Sequence, residues 1–326
     1  MMVLAVDSGT TTTRVWALEN GSVRVGKAAQ AGARDLARGR DRDWLLARIR
    51  QLAEETLEQL QREWSAVEAI VAFGMITSEL GLEELPHLRT PVGIDDLVDA
   101  VQERRYNDSL PVPLQLVPGV RNADARALEF ADFMRGEETE VVGLLSLGRT
   151  EPPLLYLSVG SHSKLVAVDG DGRIEWSATT LSGELVWALH RETILAGLVD
   201  PTRDIGNLEW VDEGARLVDV IGLSRTLFAA RLLNRIERRP AAACSDLVHG
   251  AIAQSDLASF RATLAGRGAR AVVVAGAGPL AGACRHLLAR EPWVDDLDVA
   301  DEPLGALGAW WLYSKRRERD GLAHSL

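Results

Sequence analysis

One hairpin design occurs twice in this chain, half a chain apart, and it limits the fold more than any other feature. The first copy runs from Val3-Leu4-Ala5-Val6 through Asp7-Ser8-Gly9-Thr10-Thr11-Thr12-Thr13-Arg14 into Val15-Trp16-Ala17-Leu18. The second runs from Leu155-Tyr156-Leu157-Ser158-Val159 through Gly160-Ser161-His162-Ser163-Lys164 into Leu165-Val166-Ala167-Val168-Asp169. Both place a glycine after an apolar strand, small hydroxyl residues in the turn, and a cation, Arg14 or Lys164, entering the next strand. Both second strands end in polar glycine turns, Glu19-Asn20-Gly21 and Asp169-Gly170-Asp171-Gly172. Internal repetition of a supersecondary unit can define an architecture. The expectation is an α/β fold with two related domains around a central cleft, residues 1–150 and 151–326, each led by one hairpin.

The turns also carry chemistry. Gly9 lets the backbone approach a ligand closely. The hydroxyls and amides of Thr10, Thr11 and Thr12 make an anion-binding concavity. Asp7 suits a hydrated Mg²⁺, which takes one or two carboxylates plus phosphate oxygens. Arg14 presents a planar fork for a phosphate or for Asp7 itself. An ordinary hairpin with a hydroxyl-rich turn is the alternative for either copy alone. Shared order, polarity and cation placement favour two phosphate-binding turns, the second formed by Gly160, Ser161, His162 and Lys164.

The first hairpin leads to a third strand over 22–28 and an amphipathic helix over 42–62, with Trp44, Leu45, Ile49, Leu52, Leu57 and Leu60 at three- and four-residue spacings. A β-rich run over 67–73 ends at Gly74, and strand, long helix, strand implies parallel pairing. Residues 114–117 read as a strand and 140–147 as a helix. After the second hairpin, 173–179 reads as a strand, 183–265 as mostly helical, 271–275 as a buried strand and 304–314 as a closing helix. The boundary between halves falls at 148–153, around Gly148 and Pro152-Pro153.

A chain of 326 residues suits two domains better than one core. Its net charge of −11 opposes a general nucleic-acid or anionic-membrane surface, so a bound nucleotide needs a local positive site or Mg²⁺. Cys244 and Cys284 make neither a disulfide framework nor a metal spacing. No signal pattern opens the chain, and no apolar run reaches the ~18 residues of a membrane span. A cytoplasmic protein with small-molecule partners is expected, and a homodimer is left open.

Five further strings follow one another in order: Phe73-Gly74-Met75-Ile76-Thr77-Ser78-Glu79-Leu80-Gly81, Val117-Pro118-Gly119-Val120, Met134-Arg135-Gly136-Glu137-Glu138-Thr139-Glu140, the second turn, and Thr180-Leu181-Ser182-Gly183-Glu184-Leu185. Over residues 3–310 the chain resembles the 2-dehydro-3-deoxygalactonokinase family. These are bacterial sugar-acid kinases of the actin, hexokinase and Hsp70 superfamily, with ribonuclease H-like domains. The Met-Arg-Gly-Glu-Glu-Thr string is the most specific element. The family's second turn usually reads Pro-Gly-Thr-His-x-Lys-Trp. Here it reads Val-Gly-Ser-His-Ser-Lys-Leu, which keeps the hydroxyl and the cation. A Trp usually follows the glycine matching Gly81; here it is Leu82, near the expected sugar site.

The resemblance implies ATP and Mg²⁺ as cofactors and phosphorylation of the 6-hydroxyl of 2-dehydro-3-deoxy-D-galactonate in galactonate catabolism. Asp7 then holds the metal, turns 9–12 and 160–163 grip the phosphates, and Lys164 or Arg14 offsets developing charge. Gly276 and Gly278, between the 271–275 strand and a helix, cradle adenosine at helix-start amides. The same turn looks like a dinucleotide fingerprint with Asp298 downstream. That alternative leaves too little chain after it and makes both hairpins accidental. Glu137 and Glu138 open a helical run after Arg135-Gly136, and one of them is the base that takes the sugar proton; Glu138 is favoured. Acids at a helix start also stabilise it, by about 0.3–1 kcal/mol. Arg135 holds the sugar carboxylate or pairs with a glutamate. Ser78 and Glu79 are substrate contacts by resemblance, Glu184 a helix cap or ligand contact, and His162 more structural than catalytic. Two further readings stay open: a kinase of the same fold for another sugar or sugar acid, and a non-catalytic ATP-binding switch.

Overall fold

Two halves of the chain fold alike. The computed structural model describes residues 1–123, 127–264 and 271–321; residue 265 of the expected helical stretch lies outside them. The first half runs β1 (Met2–Ser8), β2 (Thr13–Glu19), β3 (Ser22–Ala29), α1 (Ala33–Ala37), α2 (Arg42–Gln59), β4 (Val67–Gly74), β5 (Leu88–Arg89), α3 (Ile94–Ala100), β6 (Gln102–Arg104), β7 (Leu114–Leu116), β8 (Val120–Arg121), β9 (Phe133–Met134) and α4 (Glu137–Leu147). The second runs β10 (Leu154–Val159), β11 (Ser163–Val168), β12 (Ile174–Thr180), α5 (Ser182–Glu192), α6 (Leu208–Ile221), α7 (Leu223–Arg235), α8 (Ala241–Leu264), β13 (Ala271–Ala275), α9 (Pro279–Leu288), β14 (Asp296–Ala300) and α10 (Leu304–Arg319).

The larger sheet has the order β3-β2-β1-β4-β7-β6 and the second β12-β11-β10-β13-β14. In each, the leading strand pairs antiparallel with the second hairpin strand and parallel with a strand that arrives after a long helix. The central strands β1, β4, β10 and β13 are continuous apolar runs because both of their faces are covered. Leu45, Ile49, Leu52 and Leu57 of α2 pack on one face of the first sheet with Leu4, Val6 and Ile70. The far face of the second sheet packs on α6, α8 and α9 through residues such as Val211, Val248, Ile252 and Cys284.

The two remaining sheet faces look toward each other across α4 and α10. Val3, Ala5, Val71 and Phe73 from one sheet and Tyr156 and Val166 from the other share a core with Val141, Val142, Leu304, Ala309 and Leu312. Gly143 and Gly308 let these helices cross in backbone contact: a Cβ on Gly143 would strike the Leu304 carbonyl, and one on Gly308 the Thr139 carbonyl. The closing helix of the second half therefore lies on the first sheet. Among the described residues, no helix is long and apolar enough to cross a membrane.

The helix expected over 42–62 forms as α2, and α4 begins three residues before its apolar pattern does. The 183–265 stretch divides into four helices, with irregular chain over 193–207. A three-stranded sheet, β5-β8-β9, has no counterpart in the sequence reading. It ties the first half to β12: Val92 bridges to Ile174, Asn122 exchanges hydrogen bonds with Ser177 at 2.9 Å, and Asp132 accepts from the Ser177 and Thr179 hydroxyls at 2.6 and 3.0 Å.

Candidate active site

The ends of β1 and β4 meet the start of α4. Ser8 is in register with Gly74, whose φ of 86° is a left-handed conformation that favours glycine. Gly136, at φ 118°, caps α4, and a Cβ there would lie only 3.6 Å from the Gly74 Cα. The first turn of α4 is thereby driven against Asp7. Asp7 is 23% exposed, and Arg14, its register partner, donates to it at 3.1 Å. Desolvation pushes the Asp7 carboxyl above its ordinary pKa against the pull of Arg14, and neighbouring Glu137 adds to the push.

Three glutamates occupy that helical turn, and their surroundings differ. Glu138 is fully buried; both its oxygens accept the Gly136 N–H, at 2.9 and 2.8 Å, and one accepts the Thr139 hydroxyl at 3.1 Å. Glu140, which the sequence reading did not single out, accepts from Tyr156 at 2.8 Å and Ser158 at 3.2 Å. Burial raises both carboxyls to about 7, with Glu137 adding repulsion. Glu137 keeps one carboxylate oxygen, Oε2, buried without a hydrogen-bond partner.

Each phosphate-type turn is closed on itself and clamped by a following helix start. Gly9 N donates to Thr12 O at 2.9 Å, and Gly9 and Thr10 carbonyls accept from the amides of Ala33 and Arg34 in α1. Gly160 N donates to His162 O at 3.3 Å, and the Ser161 carbonyl accepts from Glu184 in α5. Thr12 and His162 remain at the surface of their turns. Glu184 lies 3.6 Å from His162 and 4.0 Å from Arg34. Because Arg34 belongs to the first half and Glu184 to the second, both turns border one opening.

Arg14 and Lys164 hold equivalent register positions, opposite Asp7 and Ser158, yet only Arg14 is exposed. Lys164 is 4% exposed, donates to Phe133 O at 2.8 Å and to the Thr179 hydroxyl, and stands 3.7 Å from Asp132. It stitches the small sheet to the second sheet. Arg135 donates to Thr77 Oγ1 at 3.0 Å and Leu85 O at 2.7 Å and stands 3.5 Å from His87 Nδ1. Burial, with the charge of Arg135, holds His87 down to about 4, so it is neutral. Ser78 is buried and donates to Met75 O at 2.7 Å, closing its own turn; Glu79 is exposed.

A groove of about 170 Å³ runs beside the second turn, lined by Gly160, Ser161, Trp187, Pro201, His249 and Ala277 among others. Gly276 and Gly278 flank Ala277, and Gly278 caps α9. Trp187 and His249 escaped the sequence reading: each sits in an apolar helical pattern, where the ordinary signal is core. Among the described residues no group of three or more His, Cys, Asp or Glu could hold a metal unaided. Mg²⁺ keeps several waters and takes phosphate oxygens with one or two carboxylates, and the Asp7 carboxylate, 23% exposed, has the donor chemistry for it.

The 2-keto-3-deoxy-galactonokinase family profile matches residues 7–301. A candidate 2-dehydro-3-deoxygalactonokinase from Sinorhizobium meliloti is similar in structure, with a TM-score of 0.74 and 22% identity over 97% of this chain and 99% of that one. The activator of 2-hydroxyisocaproyl-CoA dehydratase from Clostridium difficile, with bound ADPNP, gives 0.54 and 14% over 100% and 99%. Component A of the (R)-2-hydroxyglutaryl-CoA dehydratase from Acidaminococcus fermentans gives 0.51 and 14% over 97% and 99%. These likenesses establish the actin/hexokinase-like ATPase fold. A comparison with curated protein sequences found no match.

Proposed function

The chain belongs to the 2-keto-3-deoxy-galactonokinase family and is a sugar kinase, and from that premise we propose that it uses ATP to phosphorylate the 6-hydroxyl of 2-dehydro-3-deoxy-D-galactonate. The Glu137 carboxylate carries the reading. Its Oε2 has no hydrogen-bond partner, and its charge is felt at Asp7. A general base must reach the proton it takes with an uncommitted acceptor. Glu138 spends both oxygens on Gly136. We therefore assign the base to Glu137 and give Glu138, the residue favoured by the sequence, the task of fixing the helix start.

Phosphoryl transfer asks for positioning and charge neutralisation. We take residues 1–150 and 151–326 as the two lobes, the second returning α10 to the first sheet. Thr10, Thr11 and Thr12 take the phosphates from one side and Gly160, Ser161 and His162 from the other. Arg14, half exposed, offsets charge on the transferred group; Lys164 is spent on the seam between lobes. Asp7 would hold Mg²⁺, which when bound neutralises phosphate oxygens. Gly276 and Gly278 shape the groove for adenosine. Arg135, oriented by Thr77 and Leu85 with neutral His87 beside it, takes the sugar-acid carboxylate. Glu184 stands beside both turns, and the Glu79 charge acts on Arg135. Closure of the lobes excludes water as a competing acceptor.

The test is ADP formation with ATP, Mg²⁺ and a panel of sugar acids and neutral sugars. Turnover that requires 2-dehydro-3-deoxy-D-galactonate supports the reading. A preference for another acceptor shifts the substrate, and ADP release indifferent to every acceptor overturns it in favour of a switch.

A further inference from the structure

The groove beside the second turn contains a polar atom that this reading leaves without a task. His249, on α8, is 1% exposed and forms part of the groove wall with Trp187, Pro201 and Ala277. Its Nδ1 lies 2.8 Å from the carbonyl oxygen of Ser245, one helical turn earlier. A carbonyl can only accept, so Nδ1 carries the ring proton and Nε2 presents a lone pair. The Ser245 hydroxyl, 3.4 Å from Nδ1, is engaged with Asp200, whose amide it accepts at 3.0 Å and whose carbonyl it faces at 3.4 Å. Burial holds the imidazole pKa below its ordinary value, which keeps the ring neutral. Nε2 is buried and has no hydrogen-bond partner. Buried polar atoms almost always have one. A ligand that brings a donor into this groove supplies it.

We propose that His249 Nε2 selects the nucleobase by accepting an N–H of the adenine 6-amino group. The inference rests on the groove being the adenosine site. Adenine presents a donor at that position, whereas guanine presents an oxygen that would set lone pair against lone pair. Trp187, 39% exposed, and Pro201 offer flat apolar walls to a base plane. A site built to accept from a ligand N–H discriminates against an analogue that lacks it.

The experiment is titration calorimetry of the full chain with ADP, GDP and purine riboside diphosphate, which lacks the 6-amino group, in the absence of any sugar. One neutral hydrogen bond corresponds to a preference of about tenfold. The wild-type protein is expected to bind ADP at least that much more tightly than either analogue. In His249→Leu the preference should fall to within about threefold, and His249→Gln, whose amide oxygen can accept, should keep part of it. Circular dichroism checks that the variants fold. Equal wild-type affinities for ADP and the purine analogue overturn the inference without any variant, as does an undiminished ratio in folded His249→Leu. Selective ADP binding without sugar phosphorylation would sink the kinase substrate and leave His249 standing. Unselective ADP binding with phosphorylation would do the reverse, and no nucleotide binding at all refutes both.

Discussion

Replacing Glu137 and Glu138 by glutamine, one at a time, separates the base from its neighbour. Glu137→Gln keeps the side-chain shape but cannot take the acceptor's proton. Loss of a positioned base costs about 10²–10⁴ in kcat, or roughly 3–5 kcal/mol in barrier. The same change removes a negative charge that repels Asp7, Glu138 and Glu140, so the melting temperature should hold or rise. Glu138→Gln works the other way. Its amide oxygen still accepts from Gly136, but the amide nitrogen meets the same N–H donor where a second oxygen stood at 2.8 Å. Losing one arm of this shared hydrogen bond costs at most about 1 kcal/mol of stability. Because the Glu138 carboxyl titrates near 7, a neutral side chain there is half the native population at neutral pH, and kcat should stay within tenfold. The assay is coupled ADP release at saturating substrates, read with the sugar-acid KM and a calorimetric Tm. A large kcat loss in Glu138→Gln with near-normal Glu137→Gln reverses the assignment. If neither costs tenfold, the glutamates serve only the helix start and the base lies elsewhere.

Glu140 titrates near 7 in the folded protein and near 4.3 unfolded, so the folded state holds the proton longer and stability falls as pH rises through roughly 4 to 7, by at most about 4 kcal/mol. Glu140→Gln, which can still accept from Tyr156, should flatten Tm against pH in that window; an unchanged slope counts against the buried carboxyl. Asp7→Asn should lower Mg²⁺-dependent turnover by at least about 10² with Tm unchanged or raised, since the desolvated carboxylate is a stability cost; normal activity at saturating Mg²⁺ would remove Asp7 from the mechanism. Lys164→Met strands Asp132 at the seam and should cost about 3–5 kcal/mol of stability; a kcat loss with an unaltered Tm would return Lys164 to the phosphates.

Sequence carried most where structure is local. The two hairpins are contiguous strings whose pattern needs no tertiary partner, and their strand pairing and turn closure follow from it. The same holds for α2, with three- and four-residue spacing throughout. The strands β5, β8 and β9 are two residues each, too short for any periodicity, and what makes them a sheet is pairing between segments 32 residues apart for β5–β8 and 12 to 14 apart for β8–β9. The family resemblance alone offers Ser78 as a substrate contact; in space its hydroxyl donates to the Met75 carbonyl and closes its own turn. Glu137 and Glu138 are neighbours in sequence but point about 100° apart on a helix. Which one faces the cleft is decided by Gly74, Gly136 and Asp7 packing together. Lys164 read as a phosphate ligand by analogy with Arg14, and no local signal announced Asp132, which claims it.

That divergence follows from electrostatics. The Glu137 charge repels the carboxyls of Asp7, Glu138 and Glu140, and Asp7 repels that of Glu140, with Arg14 as the cation paired to Asp7. The position equivalent to Asp7 in the second hairpin borders the same region, because Ser158 donates to Glu140. A second aspartate there would face Glu140 directly. A serine supplies a donor to that carboxylate where an aspartate would repel it. Its register partner Lys164, having no acid opposite, turns to Asp132 and Phe133 and locks the small sheet in place. Duplicated backbone thus supports unequal pairing: Arg14 stays on the acid of its own hairpin, while Lys164 leaves its hairpin to hold Asp132 and Phe133 of the first half.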